Sequence, residues 1–175
     1  MNQGAEITKE WTSALRALLS TEEPEGLVFL GVGNPIKGDD SVGLYIAEGL
    51  RKTVGARPSS NVAIRSAPTY PELALSRLNL RESRLVVLDA VEMARPAGSI
   101  ICARIDETKY GFFATHNLPL KLHPAVAENR GNVFVLGVQP EDLGVGANLS
   151  ATVRCAADLV ITDVASQLER RLREN

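Results

Sequence analysis

The sequence predicts an α/β fold: a three-layer sandwich in which a twisted, mostly parallel sheet is covered by helices on both faces. Two observations carry this. Runs of strand length that are apolar almost throughout recur at LVFLGV (27–32), LVVLDAV (85–91) and NVFVLGV (132–138), as expected of strands buried on both sides. Segments with helical periodicity alternate with them. No repeat, low-complexity tract or linker divides the 175 residues, so 1–175 reads as a single α/β domain.

Each element has its own signal. Residues 5 to 20 place Ile7, Trp11, Leu15 and Leu18 on one stripe of an amphipathic helix, and TEEPEG (21–26) breaks it. LVFLGV follows as the first buried strand. A helix from about Ser41 to Lys52 comes next, with Asp39, Asp40 or Ser41 as its N-cap. NVAIRS (61–66) alternates enough to be an outer strand, and Pro71 opens a helix running to about Leu80. LVVLDAV is the second buried strand. SIICARI (99–105), after the Pro96-Ala97-Gly98 turn, reads as a strand at the sheet edge. A short helix after His116, a loop at 128–132 and the strand NVFVLGV lead to a long amphipathic helix from Ser150 to about Arg173.

Bulk composition narrows the function. A formal charge of −2, no basic run and 5% aromatic residues offer nothing to a phosphate backbone or to stacked bases, which excludes nucleic acid as a partner. No apolar run reaches the ~20 residues that cross a bilayer, and MNQGAEITKEW has no signal-peptide core. Cys102 and Cys155 form no CxxC pair; both read as small buried hydrophobes, and a cytoplasmic location is expected.

In open α/β sheets ligands bind beyond the carboxyl ends of the strands, and here three buried strands end in polar groups. The first delivers Gly33-Asn34 and then Asp39-Asp40, the second Asp89, the third Gln139 and Glu141-Asp142. ATHNLPL adds His116, one of two histidines. Taken singly, each has a plainer reading: Asp40 as a helix cap, Asp89 as a turn acid, His116 as a structural histidine. Together, two carboxylates and an imidazole at one rim suit a borderline divalent cation. A phosphate cradle fits less well. The glycines are spaced G-x-G-x4-G, Lys37 is not followed by Ser or Thr, and two acids sit where a phosphate would be repelled. GxSxG is absent, and nothing marks a serine nucleophile.

GVGNPIKGDDSVG, LVVLDAV, THNLPL and LGVQPEDLG, in that order, resemble the hydrogenase maturation endopeptidases. The resemblance runs from about Leu27 to the final helix and leaves about 1–24 as an N-terminal helical extension. It implies an endopeptidase that removes the C-terminal extension of a [NiFe] hydrogenase large-subunit precursor after nickel insertion. Nickel carried by that precursor would be the recognition element, held by Asp40, Asp89 and His116. It implies the same α/β sandwich as the strand pattern. One departure stands out: Ser66 occupies the place of an acid that relatives carry after the second strand, which hints at a different precursor partner. The alternatives are a free-standing metal-dependent peptidase or hydrolase, and a Rossmann-like module with a nucleotide on the Gly31/Gly33 turn.

Overall fold

Side chains that alternate along each strand send Leu27 and Phe29 of the first strand to one core and Val28 and Leu30 to another, so the sheet is buried on both faces. The computed structural model describes residues 3–20, 26–54, 61–68, 70–107 and 123–174. Its strands are β1 (Gly26–Val32), β2 (Val62–Ala67), β3 (Ser83–Ala90), β4 (Ile100–Arg104) and β5 (Val133–Val138). Its helices are α1 (Gln3–Ser20), α2 (Val42–Val54), α3 (Pro71–Leu75), α4 (Pro124–Glu128) and α5 (Ala151–Glu174).

The strand order is β2-β1-β3-β5-β4. The first four strands run parallel, and β4 pairs antiparallel with β5 at one edge. The α/β sandwich expected from the strand pattern is therefore the fold observed, with β2 and β4 at the edges. One core joins α1, α2 and α5 to the sheet through Trp11, Ile46, Leu50, Val160 and Val164. The other joins α3 and α4 through Leu75 and Val126.

Trp11, Leu15 and Leu18 are buried as the helical stripe predicts, and Leu19 joins them; the side chain of Ile7 lies outside the described residues. This answers what α1 does. It packs on the sheet beside β4 and α5 rather than standing off the core. Two cations close its C-terminal end: Arg84 Nη1 donates to the Leu18 carbonyl at 2.6 Å and Arg171 Nη1 to the Leu19 carbonyl at 3.3 Å. Positive charge at the last carbonyls of a helix is the favourable pairing with the helix dipole.

Three expectations change. The helix opened by Pro71 stops at Leu75, not Leu80. Ser76 Oγ donates to the Glu72 carbonyl, and the amides of Arg77 and Leu78 reach back only three residues, so the helix tightens into turns. Asp39 and Asp40 do not serve simply as the start of α2. They lie in a short 3-10 turn, residues 38–41, and their carboxylates are engaged elsewhere. Cys102 is buried, and burial pushes its thiol up to about 12, but Cys155 is exposed. Cys155 falls on α5 between the inward positions Val153 and Ala156, so helical phase turns it outward.

Candidate active site

β1 and β3 are neighbours, yet the chain leaves β1 for β2 on one side and returns to β3 on the other. That makes their carboxyl ends the point where strand order reverses, where an open α/β sheet has a crevice. Asp40 arrives from β1 through the 3-10 turn, and Asp89 is the penultimate residue of β3. The approach is close because α2 starts hard against the sheet. A Cβ on Gly43 would lie 2.1 Å from the Leu88 carbonyl oxygen, and one on Gly31 would lie 2.4 Å from that of Gly43. Only glycine allows this backbone contact, and it sets the first turn of α2 beside the residue preceding Asp89.

Both acids are withdrawn from solvent, with Asp40 0% and Asp89 2% exposed. Asp40 Oδ2 accepts the Asn34 amide at 2.8 Å. Asp89 Oδ1 accepts the Ala90 amide at 2.8 Å, whereas its buried Oδ2 has no hydrogen-bond partner among the described residues. Burial, reinforced by the neighbouring Asp40 charge, holds the Asp89 carboxyl well above the ordinary carboxylate range, and the Ala90 amide only partly opposes this. An orphaned carboxylate oxygen within the field of a second carboxylate fits a cation: bridging by positive charge would relieve both costs. Among the described residues no third histidine, cysteine or acid completes a cluster. His116, the third expected ligand, and Asn117 lie outside the described residues.

The glycine turn is filled by the protein's own backbone. Gly33 has φ +142°, and a Cβ there would meet the Asp40 carbonyl oxygen at 2.0 Å; at Gly38, with φ +34°, it would meet that of Asp142 at 2.4 Å. The turn therefore wraps the acid pair. Asp39 supplies the fastening that the sequence left undefined. Its Oδ2 accepts the amides of Glu141 and Asp142 at 2.8 and 2.9 Å, and its Oδ1 accepts that of Ser150 at 2.7 Å. Burial pushes this carboxyl upward, but the Asp142, Ser150 and Glu141 amides outweigh it and hold it below the ordinary value. One side chain thus ties the loop after β5, and the start of α5, to the site.

Gln139 is a second organiser. Its Oε1 accepts the Met93 amide at 2.7 Å, and its Nε2 donates to Glu92 Oε1 at 2.9 Å, shaping the segment just beyond Asp89. That segment contains Ala94 at φ +53°, a left-handed conformation with no glycine to announce it in sequence. Ser66, the departure from the family pattern, lies within β2 and accepts a 2.9 Å hydrogen bond from Arg51 Nη2. His123 caps nothing through its side chain and sits 3.5 Å from Ser76 Oγ, whose proton goes to the Glu72 carbonyl.

A buried acid pair at the switch point of a mostly parallel sheet defines a class, open α/β proteins with an acidic site at the carboxyl ends of their central strands. Comparison with known proteins narrows it. Residues 44–167 match the family model described as hydrogenase maturation protease. The chain is 32% identical over 136 residues to the hydrogenase 3 maturation protease of Escherichia coli K12, covering 76% of this chain and 85% of that one. The solution structure of the endopeptidase HycI from Escherichia coli superposes with a TM-score of 0.63 at 28% identity, covering 81% and 90% of the two chains. The fold also matches the crystal structure of a [NiFe] hydrogenase maturation protease, HycI, from Thermococcus kodakarensis, with a TM-score of 0.74 at 24% identity and coverage of 89% and 98%. This chain belongs to the hydrogenase maturation protease family, and it is a peptidase.

Proposed function

We propose that this protein removes the C-terminal extension of a [NiFe] hydrogenase large-subunit precursor, and that the nickel in that precursor is what it recognises. The observation that carries the reading is Asp89 Oδ2, buried beside Asp40 and unpartnered among the described residues, in a chain of this family. Asp40, Asp89 and His116 would be the ligands. Two carboxylate oxygens and one imidazole nitrogen are a donor set that nickel accepts, with positions left for groups of the substrate.

The roles follow from the geometry of each side chain. Asp40 is oriented by the Asn34 amide, which holds Oδ2 and fixes the carboxylate plane. Asp89 carries a proton readily when no cation is near, and gives it up when positive charge arrives at Oδ2, so binding is coupled to proton release. The Ala90 amide on Oδ1 keeps the other oxygen turned inward during that exchange. An ion held there supplies polarisation of the scissile carbonyl or a lowered pKa for an attacking water. Because both acids are buried, the bond to be cut must enter the crevice between the β1 and β3 loops.

The test is to mix the purified protein with nickel-loaded and nickel-free precursor and to weigh the large subunit by mass spectrometry. Shortening of the loaded form alone is expected. Equal shortening of both forms, or of neither, overturns the reading.

A further inference from the structure

We infer that Ile36 and Val145 form an apolar docking step at the lip of the site, on which the folded body of the protein substrate rests beside the tail being cut. The inference rests on the proposed function. Ile36 is 62% and Val145 75% exposed, more than the other large apolar side chains open to solvent among the described residues. They come from different loops, after β1 and after β5, yet Lys37 and Val145 form an isolated antiparallel bridge and the Gly146 amide donates to the Ile36 carbonyl at 2.7 Å. Two exposed apolar residues on backbone segments that are bridged to each other mark a contact surface.

The occupant is indicated by what the two loops are fastened to. The Ile36 amide donates to Asn34 Oδ1, and the Asn34 amide donates to Asp40 Oδ2, so Ile36 is two hydrogen bonds from a buried acid of the site. The Val145 loop is tied down by Asp39 at Glu141, Asp142 and Ser150, one residue before Asp40. Both loops are thus fastened to the turn that carries Asp39 and Asp40, so a protein substrate approaching the acids on this side meets the two apolar residues. A peptidase acting on a folded protein needs more contact than the cut segment provides, and a rigid apolar lip next to the acids supplies it.

The experiment measures processing rate against precursor concentration for the wild type, the double variant Ile36→Asp with Val145→Asp, and Leu159→Asp on the exposed face of α5. Both lip residues are exposed, so the double variant should melt with the wild type. Its KM is expected to rise about tenfold or more, with the rate at saturating precursor retained; Leu159→Asp should match the wild type. An unchanged KM in the double variant while the wild type processes normally overturns the docking step alone. Failure of the wild type to process any precursor overturns the proposed function and the docking step with it. Sedimentation of the protein alone adds a further arm: a wild-type dimer that the double variant dissolves assigns the lip to a second copy, and overturns the proposal.

Discussion

Asp39 Oδ1 accepts the Ser150 amide at 2.7 Å across 111 residues of sequence, joining the turn that carries Asp40 to the start of α5. With its other oxygen on Glu141 and Asp142, the carboxylate replaces three donors' worth of water with protein. Its neighbour Asp40 instead accepts the Asn34 amide through Oδ2 at 2.8 Å. The two adjacent acids of the motif therefore fasten different segments of the chain.

Asp39→Ala should destabilise the fold by about 1–3 kcal/mol, because three amides lose their acceptor. Asp39 is held below the ordinary 3.8, so its contribution is complete above that value and lost as pH falls through the folded-state value. Urea melts at descending pH should show the wild type losing stability over that interval and the variant losing less. Amide exchange in 141–150 should accelerate in the variant at neutral pH.

Asp89→Asn should do the reverse to stability while abolishing processing. The folded protein binds the Asp89 proton more tightly than the unfolded chain, so stability falls as pH rises from 3.8 toward the raised folded-state value. At neutral pH and without metal the wild type bears that cost, and the neutral amide does not. The variant is expected to gain on the order of 1 kcal/mol in chelator-treated samples. Equal or lower stability across the pH range counts against Asp89 as a buried, disfavoured charge.

Asp40→Asn and His116→Ala should each lower precursor processing about a hundredfold or more while leaving thermal unfolding near that of the wild type. Asn keeps the size of Asp40 and an oxygen to accept the Asn34 amide, so loss of activity without loss of fold is the signature of a ligand. A His116→Ala protein that cleaves nickel-loaded precursor at the normal rate removes the imidazole from the site.

Gly43→Ala should cost about 1–3 kcal/mol, since its Cβ would press on the backbone oxygens of Leu88 and Val32, which have nowhere to retreat. Gly131→Ala, where no atom lies within 4 Å of the added carbon, is the comparison and should melt with the wild type. A shifted α2 also moves Asp40, so processing should fall further for Gly43→Ala than the stability loss alone accounts for.

The layered α/β architecture, the edge placement of β2 and β4 and the inward stripe of α1 were legible in the sequence, because alternation and helical period are local properties of the chain. So was the placement of Asp40 and Asp89 at the carboxyl ends of apolar strands, one in the turn after β1 and one at the end of β3. What Asp39 of GDD does was decided only by the tertiary structure. Capping, clamping and coordination use the same carboxylate, and the choice depends on which backbone amides the fold brings alongside. The Ser150 amide, the Asn34–Ile36 link and the apolar lip all arise between segments far apart in sequence or from loops with no periodic pattern. Local chemistry named the residues; long-range packing assigned their partners.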